Sequence, residues 1–261
     1  ERGRTRMGIV ITFSNQKGGV AKTTSAVSTA AYLHTHNQRV LLVDADPQGS
    51  ATKMTLGEKP NEKTLFAVLN QLCPVVDAIR HAEDFGDVLA GSRMLYDESA
   101  LADNGFLLRN IIDSIRDNYD FIIIDTPPNL SLCQSAALVA SDYVVIPTKA
   151  TGGSIDGVGE LIDTIANIQQ YNPNLRIAGF LITMSSKRVR AVKQVSEYLK
   201  DYAKEIGCVV FDSQIRTAEG LFGEAELFHD NIFTLKAKNN ATKDYRAFVE
   251  QLLEVMGCVK K

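Results

Sequence analysis

The run Asn15-Gln16-Lys17-Gly18-Gly19-Val20-Ala21-Lys22-Thr23-Thr24 gathers glycines, lysines and threonines into one short segment. Glycines let backbone N–H groups turn inward around an anion, and a following lysine and hydroxyl add a cation and a metal-ligating oxygen. That is the chemistry of a phosphate-binding loop. Gly18, Gly19, Val20 and Ala21 line the phosphates with main-chain groups in this reading. Lys22 reaches the β- and γ-phosphates, Thr23 ligates Mg²⁺ and Thr24 leads into the helix. The strict spacing G-x-x-x-x-G-K-[ST] is not met, because Gln16 and Ala21 stand where its glycines belong. An alanine at position 21 fits a backbone of negative φ and strains one of positive φ.

Three carboxylates accompany the loop. Asp44 and Asp46 lie in Val43-Asp44-Ala45-Asp46-Pro47-Gln48-Gly49, and Asp125 lies in Ile124-Asp125-Thr126-Pro127-Pro128. Each follows an apolar run, where the ligands of α/β sheets bind. Asp125 suits an outer-sphere Mg²⁺ anchor, and Asp44 a support for the metal and the loop lysine. A strand-end aspartate can equally cap the next turn.

The elements that must position these groups are legible as alternating patterns. Gly8–Phe13, Arg39–Val43, Phe121–Ile124, Tyr143–Ile146, Ile177–Ile182 and Cys208–Phe211 are apolar runs with little polar alternation, as in strands buried on both faces of a parallel sheet. Helical periods fall near 22–36, 104–117, 131–141, 153–170, 188–205 and 241–256. The alternation predicts an α/β fold, a doubly wound and mostly parallel sheet flanked by helices, as one domain over residues 7–257. Residues 1–6 carry no pattern and read as an appended remnant or a native tail. The segment 57–100 is expected to be helical with a short strand near Asp87–Ala90.

The extra lysine of the loop, Lys17, together with the two aspartate motifs and Asp142-Tyr143-Val144-Val145-Ile146-Pro147, resembles the ParA/MinD/Soj family of deviant Walker-A ATPases. The likeness runs from Met7 to about Gln251. It implies a P-loop NTPase that uses ATP and Mg²⁺, with Lys17, Lys22 and Asp46 as the catalytic set. Asp46 matches the family residue that orients the attacking water. Lys17 matches the lysine that reaches across a two-fold interface to the partner's nucleotide, so that an ATP-dependent homodimer sandwiches two ATP molecules. A ParB-like adaptor would stimulate slow hydrolysis. The adenine is expected against the loops after Ile182 and Phe211, at Thr183, Met184, Gln214 and Ile215.

The same likeness implies a grip on nonspecific double-stranded DNA. Two basic clusters suit it: Lys187, Arg188, Arg190 and Lys193, with Lys200 and Lys204 farther on, and Lys236, Lys238, Lys243 and Arg246. Neither is interleaved with aromatics, so the expected contacts are to phosphates, salt-sensitive and blind to sequence. Glu197 and Asp201 are interspersed, as on a solvated helix face. Few residues precede the first strand, so no N-terminal helix-turn-helix is expected.

Composition narrows the alternatives. The chain has 261 residues, 45% hydrophobic and 23% charged, with a net charge of −3, which excludes an all-over basic coat. No apolar run is long enough to span a bilayer, and no signal-peptide layout is present. The scattered cysteines, without a C-x-x-C pair, read as reduced thiols in a cytoplasmic protein, and the family resemblance implies association with the nucleoid. A MinD-like membrane ATPase would end in a basic amphipathic helix, whereas Phe248–Met256 is acidic. A nitrogenase-like iron protein would need two placed cysteines per subunit; Cys133 alone reads as a small buried hydrophobe. A scaffold that holds nucleotide with little hydrolysis is the remaining alternative.

Overall fold

The computed structural model describes residues 7–57, 62–149, 153–185 and 190–258. In chain order the elements are β1 (Ile9–Phe13), α1 (Lys22–Thr35), β2 (Val40–Asp44), α2 (Ser50–Leu56), α3 (Leu65–Leu69), α4 (Val75–Ala78), β3 (Ile79–Ala82) and β4 (Gly86–Leu89). There follow α5 (Ser99–Asp103), α6 (Leu107–Ile115), β5 (Phe121–Asp125), α7 (Leu132–Ala140), β6 (Tyr143–Lys149) and α8 (Gly153–Ile168). The chain continues through β7 (Arg176–Thr183), α9 (Arg190–Glu205), β8 (Val209–Val210), α10 (Glu219–Phe228), α11 (Ile232–Leu235) and α12 (Asn240–Val255).

The strands form one eight-stranded sheet in the order β3-β4-β2-β5-β1-β6-β7-β8. Every pairing is parallel except the β3–β4 hairpin at one edge. Strand residues alternate between two apolar layers. On β1, Ile11 and Phe13 enter the layer shared with α1 and α12, while Val10 enters the layer shared with α6 and α7. Phe121 and Ile123 of β5 divide from Ile122 and Ile124 in the same way. Burial on both faces is why these strands have no polar alternation.

The acidic terminal helix belongs to the core. Tyr245, Phe248 and Leu252 of α12 are fully buried, and Phe248 meets the rings of Phe13 and Phe211 edge-on. Burying Phe248 and Leu252 contributes about 1.5–3 kcal/mol each. Its apolar face is therefore spent on the sheet. Among the described residues no helix is long and apolar enough to cross a membrane.

Two expectations needed correction. Among the described residues the 57–100 segment holds α3, α4, a 3-10 turn at Arg93–Tyr96, the start of α5 and the β3–β4 hairpin: β4 is the strand expected near Asp87–Ala90, and β3 is an additional one. The last expected strand, Cys208–Phe211, shrinks to Val209–Val210.

Candidate nucleotide-binding site

The order of the strands brings the three motifs to one edge. β1 lies between β5 and β6, and β5 separates it from β2. The pairing puts Phe13, Asp44 and Asp125 level at the carboxyl ends of three adjacent strands. The loop leaves β1 at this edge and enters α1.

The loop is held in shape by its neighbours. The Asn15 side chain donates to the Pro147 carbonyl at 2.7 Å and accepts from the Lys17 N–H at 2.9 Å. Thr183 donates its hydroxyl to the Val20 carbonyl at 3.0 Å. Gly19 has a φ of 65° and Ala21 a φ of 60°. The sequence left the sign at Ala21 open, and the structure gives the positive one, a left-handed conformation that costs an alanine about 1–2 kcal/mol. Ala21 also supplies no side-chain cap to α1, and the first turn of α1 has no acidic residue. By contrast Ser131, Asn231 and Asn239 cap α7, α11 and α12 with their side chains. The uncapped N–H groups and the helix dipole at α1 are suited to an anion.

The Lys22 ammonium is buried and donates to the Lys17 carbonyl across the loop at 3.0 Å. Burial pulls its pKa down, and the charges of Asp125 and Asp46 oppose that pull. Lys17 lays its stem along α8: a Cβ at Gly157 would stand 2.7 Å from Lys17 Cε.

The three aspartates differ sharply. Asp44 is fully buried and well satisfied. It accepts from the Thr52 N–H and hydroxyl, both at 2.7 Å, and from the Asp46 N–H at 3.1 Å. Burial nevertheless raises its pKa to about 6, against the lowering effect of the Thr52 hydrogen bonds. Its bonds fix the turn into α2. Asp46 begins that turn: its carboxylate accepts from the Gln48 N–H at 2.8 Å, and its carbonyl from the Gly49 N–H at 2.9 Å. Asp-Pro-Gln-Gly suits a type I turn, with Asp first, Pro second and Gly last.

Asp125 is the outlier. It is fully buried, and among the described residues neither carboxylate oxygen has a hydrogen-bond partner. Burial and the nearby Asp44 charge push its pKa well above the ordinary range. The Thr23 hydroxyl, close by but outside good hydrogen-bond geometry, pulls the other way, and Lys22 does so more weakly. A buried carboxylate without donors is costly unless a cation accompanies it. The donor set therefore fits a hard divalent cation such as Mg²⁺, with Asp125 and Thr23 supplying oxygens.

The other expected residues fall into three groups. Ile215 and Thr183 are buried, Gln214 is half-buried, and Met184 is exposed in a left-handed conformation at the same edge. The Ser185 N–H to Ile215 carbonyl bond, 2.9 Å, ties the two expected adenine segments together. Lys187 and Arg188 lie outside the described residues, and Arg190 begins α9. Lys193, Lys236 and Lys238 are exposed, but Lys193 sits 4.0 Å from Glu197 and Lys236 3.5 Å from Glu224. Cys133 is buried, with its thiol pushed up to about 12 by burial and Glu98, as suits a packing residue.

Sequence reasoning missed Thr52, Gly157 and Lys149. Thr52 and Gly157 carry no motif of their own. Lys149, at the end of β6, was signalled only as a cation closing an apolar strand. Its ammonium lies 3.7 Å from the position a side chain at Gly19 would take.

A parallel sheet with a glycine loop between its central strand and an uncapped helix, flanked by strand-end carboxylates, defines a phosphate-loop nucleotide-binding protein. The AAA domain family model matches residues 8–177. The chain is 37% identical over 206 residues to the sporulation initiation inhibitor protein Soj of Bacillus subtilis, covering 76% of this chain and 81% of that protein. It is 34% identical to the chromosome partitioning protein ParA of Myxococcus xanthus, with 97% and 91% covered. The cobyrinic acid a,c-diamide synthase of Mycobacterium smegmatis with bound ADP and magnesium superposes with a TM-score of 0.82 at 28% identity, over 98% of each chain. A plasmid partition protein of Borrelia burgdorferi bound to AMPPNP gives 0.80 at 26%, over 95% of this chain and 99% of that one. The chain belongs to the ParA/MinD-type ATPase family.

Proposed function

We propose that the chain is a ParA-type partition ATPase that binds Mg²⁺ and ATP at residues 16–24, dimerises face to face in that state and then binds nonspecific DNA. The observation that carries the nucleotide site is the buried Asp125 carboxylate without a protein donor, beside Lys22 and Thr23. Its likeness to the Soj and ParA proteins and to a plasmid partition protein supports the wider reading. Mg²⁺, when bound, neutralises phosphate charge; Thr23 and Asp125 would hold it, with Asp44 bracing the turn behind them. The loop N–H groups and Lys22 bind the phosphates, and Lys17 reaches the partner's nucleotide. Asp46 orients the attacking water, so catalysis is by positioning and charge stabilisation. Met184, Gln214 and the backbone near Thr183 and Ile215 face the adenine. DNA phosphates meet Lys187, Arg188, Arg190, Lys193, Lys236 and Lys238. A ParB-like adaptor accelerates a slow hydrolysis, releases the dimer and so moves a plasmid, chromosome or organelle cargo. The protein works in the cytoplasm, on the nucleoid.

The test is anisotropy of a nonspecific duplex with no nucleotide, ADP or ATP, at about 50 and about 200 mM salt. ATP-dependent, salt-sensitive binding is expected, lost in Lys22→Ala and weakened in Arg188→Glu/Arg190→Glu. Absence of DNA binding in every state would contradict the DNA-riding role. A scaffold with little hydrolysis is the second reading, favoured by the left-handed Ala21; tight ATP binding without turnover in the presence of any adaptor would establish it instead.

A further inference from the structure

We propose that Lys149 is a further phosphate-binding residue of this site, a cation that β6 delivers to the polyphosphate held by the loop. The inference rests on the nucleotide reading above.

β1 has two neighbours in the sheet, and each ends in a charged residue. β5 ends in Asp125 and β6 in Lys149. The end of β6 is tied to the loop on both sides of Lys149. Pro147, two residues earlier on β6, accepts from Asn15 at 2.7 Å. Thr183, the register partner of Lys149 on β7, donates to Val20 at 3.0 Å. The backbone of Lys149 is thus fixed relative to the glycine turn, and its ammonium is carried to within 3.7 Å of the empty side-chain position of Gly19.

The ammonium has no ion-pair partner among the described residues, whereas Lys53, Lys193, Lys204 and Lys236 each lie within 4.0 Å of a carboxylate. It also stands beside a loop that already carries Lys17 and Lys22. Like charges gathered at an anion-binding turn are unfavourable until a multiply charged anion enters. A nucleoside polyphosphate is the ligand class that satisfies Lys22, Lys149 and the uncapped N–H groups of α1 together, with Lys17 left for the partner's nucleotide. The half-exposed position of Lys149 puts it at the rim of the cradle, where it meets the phosphate chain from the side opposite Asp125.

The test titrates wild type, Lys149→Gln and Lys149→Arg with Mg·ATP and Mg·ADP by calorimetry, with thermal melts of each. Lys149→Gln should melt like wild type and bind at least one of the two nucleotides about tenfold more weakly, while Lys149→Arg stays close to wild type. A loss confined to ATP assigns Lys149 to the terminal phosphate, and a loss for both assigns it to the inner ones. Equal affinity of Lys149→Gln and wild type for both nucleotides overturns the inference, as does an equal loss in Lys149→Arg, since charge would then not be what matters. A wild type that binds neither nucleotide would instead remove the nucleotide reading itself.

Discussion

Ala21 and Gly157 are two small residues whose size has opposite consequences for the loop. Ala21 holds a left-handed backbone that glycine adopts without penalty. Ala21→Gly should therefore stabilise the protein by about 1 kcal/mol, read as a higher urea midpoint with an unchanged slope. A lower midpoint would mean that the loop relaxes around the methyl group at no cost. Gly157 makes room for the Lys17 stem. In Gly157→Ala the new methyl must displace that flexible chain while improving the helix, so stability should hold or rise. Nucleotide affinity should stay as it is, while ATP-dependent dimerisation weakens by about tenfold or more, about 1.4 kcal/mol. Unchanged dimerisation would show that Lys17 does not report the nucleotide across the interface. At this scale the sequence was informative where residue type dictates chemistry: Lys22, Asp46 and Asp125 stand at the edge their motifs implied. It was uninformative where role depends on surroundings. Asp44 and Asp125 look alike as strand-end aspartates, yet one receives three protein hydrogen bonds and the other none.

The turn from β2 into α2 is the element that converts Asp44 into a brace. Thr52 joins three segments: its N–H and hydroxyl donate to Asp44, and its oxygen accepts from the Gly91 N–H at 2.8 Å beyond β4. Thr52→Val keeps the shape but leaves the buried Gly91 donor without an acceptor and Asp44 with one donor fewer. The expected loss is about 2–3 kcal/mol in chemical denaturation; a loss below about 0.5 kcal/mol would mean that water replaces the hydroxyl there. The buried strands and longer helices were readable because hydrophobic periodicity is strong where both faces are covered. The β3 strand was not, because Ile79-Arg80-His81-Ala82 is a short edge with polar residues that pairs only with β4. α10 escaped notice for a related reason: it ends with Leu227 and Phe228 exposed, at 69% and 61%, so its apolar residues do not trace one buried stripe.

Across the whole molecule, the carboxyl edge of the sheet concentrates cations and an unpartnered carboxylate, while the acidic α12 is committed to the core beside α1. The most direct test is sedimentation velocity of the Asp46→Ala protein with Mg²⁺ and no nucleotide, ADP or ATP. This variant keeps the loop, Lys17 and Asp125 while removing the residue assigned to the attacking water. ATP-controlled dimerisation requires a species near the 28.6 kDa monomer without nucleotide and with ADP, and a dimer with ATP. A monomer in all three conditions, with ATP shown to be bound, would contradict it.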